Sequence, residues 1–205
     1  MSLASRLGLI VLAMTVFLGA MIARPASLRA NGTEIILPME PVDPRDMLLG
    51  YYVIIRTPAH DLDTRALDGP ETGWRQGDTI YVTLEEASDG WRPVGAFPDR
   101  PRGGVFLQGR VTSAYTTSDM REIEPDAEDE DRWRARREPV PGTERQELSV
   151  VYNLERYYAE AETARALEDM RRADRLRLIV AVGDDGAAVI KGLEIDGEAQ
   201  IQSLF

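Results

Sequence analysis

Cysteine is absent from all 205 residues, which excludes a disulfide framework, a thiolate nucleophile and every cysteine metal site. Basic catalytic groups are almost as scarce, since His60 is the only histidine and Lys191 the only lysine. A Ser–His–Asp arrangement would have to use His60, and a serine–lysine pair would have to join Ser149 or another hydroxyl to Lys191. Positive charge is also in short supply. The 24 basic side chains face 35 acidic ones, for a net charge of -11, which argues against a nucleic-acid partner held by phosphate neutralisation and against adhesion to anionic lipid. No internal repeat occurs. No residue set stands out for a metal, a cofactor or catalysis.

What is present begins at the N-terminus. Residues 7–23 carry no charge and lie between Arg6 and Arg24. At 1.5 Å per residue they span about 25 Å as a helix, near the lower limit for crossing a hydrocarbon core of roughly 30 Å. A cleaved signal is the competing reading, but cleavage wants small residues at the last and third-last positions. Ala23 has Met21 two places before it and Ala30 has Leu28, so an uncleaved anchor is favoured. Arginines flank both ends, and the short N-terminal tail favours a domain facing outward. The plan expected is an anchor or signal over 1–24, a linker and first short strand over 25–46, and a soluble β domain over 47–205 with a charged mobile loop at 118–145.

Within the domain, Met47 to Arg56 reads as a central strand with Gly50 as a bulge or bend. Thr79 to Glu86 alternates Ile80, Val82 and Leu84 against Tyr81, Thr83 and Glu85, the pattern of a half-buried strand. Ser88-Asp89-Gly90 then supplies a hairpin turn, and Pro93 places the returning strand at a sheet edge. Gly104 to Tyr115 and Glu147 to Leu154 read as further strands. Leu176 to Val182 and Ala187 to Ile195 flank Gly183-Asp184-Asp185-Gly186, a strong hairpin signal. Glu160 to Arg172 has the charge placement of one short helix. Seven or eight strands and that helix predict a mainly β domain, an antiparallel curled or barrel-like sheet, after the N-terminal helix.

Three polar positions attract attention. His60 follows a strand in Thr57-Pro58-Ala59-His60-Asp61-Leu62-Asp63, where an exposed loop histidine is expected and a base or a metal ligand with Asp61 and Asp63 is the alternative. Lys191, between Ile190 and Gly192, reads as a solvent-facing strand lysine. Glu155, Arg156 and Tyr157 form the densest polar group, at a strand end. They read as a structural pair fixing the junction, or as a clamp for a polar ligand or peptide.

Several segments resemble the signature of the GDYXXLXY family. Gly50 and Tyr52 match its name motif, while Tyr51 replaces the aspartate, Ile55 the leucine and Thr57 the last tyrosine. Val105-Phe106-Leu107-Gln108-Gly109-Arg110-Val111 resembles an L-x-G-x-V strand of that family. Tyr152-Asn153-Leu154-Glu155-Arg156-Tyr157-Tyr158 resembles its Y-x-I-E-R-Y-F segment, and the strand through Gly192 resembles its closing strand. The resemblance implies a membrane-anchored bacterial protein of no assigned reaction, with a polytopic membrane protein as partner, and structural roles for Gly50, Tyr52, Gly109 and Gly192. The expected function is therefore a non-enzymatic, membrane-tethered domain in the inner membrane, its soluble part periplasmic, contacting an integral membrane or envelope protein. An envelope hydrolase and a small-ligand sensor using Glu155, Arg156 and Tyr157 are the alternatives.

Overall fold

In the computed structural model, the described residues are 3–39, 52–123, 136–158 and 176–201. They form one long helix, α1 (Leu3–Asn31), followed by antiparallel strands. The first is β1 (Thr33–Pro38), and β2 (Tyr52–Ile54) and β3 (Asp61–Asp63) come next. The long hairpin β4 (Thr79–Ala87) and β5 (Gly90–Phe97) leads into β6 (Val105–Thr117). Then follow β7 (Met120–Ile123), β8 (Arg136–Pro139), β9 (Arg145–Val151) and β10 (Arg156–Tyr158). The chain ends its described course with β11 (Leu176–Val182), β12 (Ala188–Ile195) and β13 (Glu198–Ile201).

The strands build a five-stranded sheet in the order β3-β9-β6-β4-β5 and a four-stranded sheet in the order β1-β11-β12-β13. The two curl round one core, a half-barrel. Ile80, Val82 and Leu84 of β4 face inward as their alternation requires, meeting Leu148 and Val150 of β9 and Leu178 and Val180 of β11. Such burial removes nearly all of each side chain from water and stabilises the fold by about 1.5–3 kcal/mol per residue. Two close approaches join the sheets. At Gly90 a Cβ would lie 2.7 Å from the Ile36 carbonyl oxygen, so glycine lets β5 come up to β1. At the other side the Gln108 N–H donates to the Gly186 oxygen (2.8 Å), docking the β11–β12 turn on β6. Both hairpins and the edge position of β5 agree with the sequence. The Asp68 N–H donates to Val94 O (2.9 Å) and Asp68 O accepts from Ala96 N–H (2.8 Å), so one residue covers the outer edge of the proline-bearing strand.

Four expectations change. The linker expected from Pro25 is helical as far as Asn31, because the last turns of α1 dock on β11 and β12 and offset the hydrogen bond that Pro25 removes. The strand expected over 47–56 is described only as β2, which pairs with β10 and not with the main sheets. The charged loop expected over 118–145 is a two-stranded ribbon at its root, β7 against β8. Asp119 fixes that root by accepting from Arg65 and Arg145 (both 2.9 Å), while Val140 N–H donates to Asp119 O (2.8 Å). The strand count is thirteen among the described residues rather than seven or eight, since three- and four-residue strands carry too few side chains for a readable alternation. Residues 124–135 and the helix expected over 160–172 lie outside the described residues.

Candidate functional site

Four residues beyond β2 the chain turns at Pro58, with the His60 N–H donating to the Thr57 oxygen (2.9 Å). The imidazole folds back into this turn. Its Nδ1 accepts the Thr57 N–H at 3.0 Å, with Thr57 Oγ1 also at 3.0 Å. A nitrogen that accepts cannot carry the proton of a neutral ring, so the tautomer is assigned with the proton on Nε2. That atom faces Glu155 Oε1 at 3.4 Å. The pair is an electrostatic contact rather than a well-formed hydrogen bond, and among the described residues Nε2 has no partner at hydrogen-bond geometry.

Glu155 reaches this position through a tight turn. Asn153 adopts a positive φ of 63°, which Asn tolerates better than most residues. The turn brings Glu155 Oε1 to the Tyr152 N–H (2.6 Å). The Tyr152 hydroxyl in turn donates to Ala59 O (2.7 Å), and its ring meets the His60 ring edge-on at 5.5 Å. Backbone bonds complete the joint: Ile55 N–H to Glu155 O (2.9 Å) and Val150 N–H to His60 O (2.8 Å). Gly109 makes room for it. A Cβ there would stand 2.5 Å from Val150 Cγ1 and 2.7 Å from the Tyr152 ring. Three segments distant in sequence, around residues 55–60, 109 and 152–158, thus meet at one point.

The electrostatics follow from that geometry. Partial burial disfavours the charged carboxylate of Glu155, but the His60 contact and the Tyr152 amide outweigh it and hold its pKa at about 2. Burial, reinforced by the negative charge of Glu155, pushes the Tyr152 phenol well above its usual range, so it remains a donor. His60 is 5% exposed, whereas the Glu155 side chain is 30% exposed. The joint therefore presents a carboxylate to solvent and keeps its imidazole inside. Its chemistry is that of a clamp between chain segments, with one anionic face.

The residues singled out in the sequence fare differently. Glu155 stands in the joint, just before β10. Arg156 and Tyr157 pair with Ile54 and Val53 through the backbone of β10, and their side chains lie outside the described residues, as does that of Tyr52 and all of Gly50. Gly192 permits the approach of β13, since a Cβ there would lie 2.1 Å from Gln200 O. His60, expected exposed, is buried, with Nδ1 held by Thr57 and Nε2 in electrostatic contact with Glu155. Asp61 and Asp63 are engaged by Arg56 (2.6 Å) and Arg145 (3.5 Å). Lys191, expected in solvent, pairs with Glu34 (2.7 Å) and its side chain is 19% exposed. Ser149 Oγ donates to Asp61 Oδ1 (3.1 Å), in the other sheet from Lys191, so Ser149 is not paired with that lysine.

Thr57 and Tyr152 went unassigned in the sequence reading, although both head or end a recognisable segment. A second buried polar pair was equally invisible. Thr64 Oγ1 accepts the Gln146 N–H (2.9 Å), and Gln146 brackets Trp74 by accepting its N–H (2.8 Å) and donating to its oxygen (3.1 Å). This pins the 67–78 loop beside an open cleft of about 520 Å³ lined by Pro70, Trp74, Asp78 and Pro98 among others.

The family model described as "GDYXXLXY protein" matches residues 14–193, most of the chain. No curated protein and no solved structure matches.

Proposed function

This chain belongs to the GDYXXLXY family, and from that premise we propose that it is a membrane-tethered, non-enzymatic domain that works by contacting an integral membrane or envelope protein. The observation that carries the reading is α1, a helix with an apolar stretch long enough to cross a bilayer, continuous with a folded β domain. Residues 7–23 enter the membrane, the inner membrane of a bacterial cell, and the β domain faces the outer side. Thr57 of the name motif and Tyr152 and Glu155 of the Y-x-I-E-R-Y-F-like segment hold the domain together, which supports a binding scaffold over a reaction centre. Tyr115 near the end of β6 and Met120 at the start of β7, 69% and 56% exposed, are large apolar side chains at the ribbon root and supply a contact surface.

The test is a photo-crosslinking amino acid placed at Tyr115, at Met120 and, as a control, at Thr72, in the full-length protein in native membranes. A discrete adduct of one membrane or envelope protein from Tyr115 or Met120, and none from Thr72, is expected. No adduct at either position, with normal accumulation in the membrane, contradicts the reading.

A further inference from the structure

The connection between α1 and the β domain has almost no slack. The helix ends at Asn31 and β1 starts at Thr33, leaving Gly32 as the whole linker. The Gly32 N–H donates to Leu28 O (2.8 Å), and a Cβ on Gly32 would lie 2.7 Å from that same oxygen. A chain that merely tethered a domain would be expected to carry a longer, polar or glycine-rich connection.

Three side chains of the last turns then grip the β11–β12 hairpin. Arg24, the first residue beyond the apolar stretch, pairs with Asp185 at the hairpin tip (2.7 Å). Leu28 fits against Gly183, where a Cβ would stand 2.9 Å from its Cδ1. Arg29 donates to two backbone carbonyls, Ile190 O and Lys191 O, the second at 2.7 Å. Those carbonyls sit at a break in the ladder. Ile179 faces Gly192 and Val180 faces Ile190, so Lys191 is the extra residue of a bulge. A bulge disrupts the regular pairing of its strand, and the planar fork of arginine suits two adjacent acceptors better than an ammonium does. Lys191 itself is tied to Glu34 of β1, bracing the bulge against the strand that continues the helix.

We propose that this socket locks α1 to the β domain, so that the tilt and rotation of the membrane helix set the orientation of the domain at the bilayer surface. The proposal rests on the reading of α1 as an anchor and adds a mechanical consequence to it. Arg24 and Arg29 lie about 8 Å apart along the helix axis and grip the tip and the middle of the hairpin, so they resist both swivel and tilt. A membrane partner that re-orients α1 therefore re-orients the domain. The ribbon root at Thr117 lies nine residues along β6 from Gln108, where the hairpin tip docks. At strand rise that is about 30 Å of lever.

The absence of native cysteine makes the test direct. Spin labels at Ala20→Cys in α1 and Ser88→Cys in the β4–β5 turn, in the full chain in lipid nanodiscs, report the helix-to-domain distance distribution by pulsed electron resonance. One narrow peak is expected. It should be lost on Arg29→Ala and on Arg29→Lys, and on insertion of Gly-Ser-Gly-Ser after Gly32, with the thermal unfolding of the β domain unchanged. A broad distribution in the parent, or a narrow peak surviving Arg29→Ala, overturns the proposal. Flotation with lipid vesicles is scored separately on the same protein. Failure to float ends the anchor reading, whereas the distance distribution, repeated in detergent, still decides the coupling.

Discussion

Two joints among the described residues are built from opposite materials. At the motif joint, His60 and Tyr152 are almost wholly withdrawn from water; Nδ1 of His60 accepts from Thr57 in its own turn, and the Tyr152 hydroxyl donates to Ala59, ninety-three positions away. At the helix socket, Arg24 is largely exposed, Asp185 is about half exposed, and the grip depends on arginines reaching a carboxylate at the surface and two part-buried carbonyls. Buried hydrogen bonds are costly to break because the orphaned group loses water as well as its partner. Exposed ion pairs contribute little to stability, yet they still select one geometry among several. The first joint therefore sustains the fold, and the second sets how the fold is held.

The contrast orders the expected effects of substitution. Gly109→Val should be the most damaging, because its side chain would displace both Val150 and the Tyr152 ring. A loss of about 3 kcal/mol is expected from overpacking together with the broken Tyr152 bond, read by urea unfolding. Glu155→Gln comes next and has a pH signature. With the folded pKa held at about 2 against 4.5 for the ordinary group, the carboxylate's contribution is fully present above pH 4.5 and is lost as pH falls towards 2. On the order of 2 kcal/mol should vanish across that window in the parent and not in the variant, after allowing for partial exposure. Subtracting the two acid profiles isolates it from Asp119 and Asp185, whose pKa values are also lowered.

Tyr152→Phe leaves the Ala59 carbonyl without its donor inside the protein and should cost about 1–2 kcal/mol with the ring packing kept. At the other joint, Arg24→Ala should change the unfolding free energy by no more than about 0.5 kcal/mol. If Arg24→Ala proved as destabilising as Tyr152→Phe, the distinction between the joints would fail.

The same contrast explains what could be read from the amino-acid order. Hairpins at Asp89-Gly90 and at 183–186, the inward face of β4 and the edge position forced by Pro93 follow from neighbours in sequence, so alternation and turn residues announce them. The motif joint does not. His60 looks like a loop residue until Glu155, ninety-five positions later, is folded against it, and no local pattern encodes that approach. Gly109 was visible as a motif glycine, but its reason, the Tyr152 ring above it, depends on a partner in another strand. The helical course through Pro25 was hidden for a similar cause. A proline reads as a break until the docking of Leu28 and Arg29 offsets its missing bond. The ribbon root was hidden by its charges, which face one another across the strands, Arg121 opposite Glu138 (3.8 Å), while remaining exposed to water.

The central claim is that α1 is a permanent part of the folded protein rather than a segment removed on export. Intact mass of the native protein, recovered from fractionated cells without overexpression, tests it most directly. The account predicts the full-length mass in the membrane fraction. A soluble protein shortened by the apolar segment would contradict it, and the socket would then have no helix to hold.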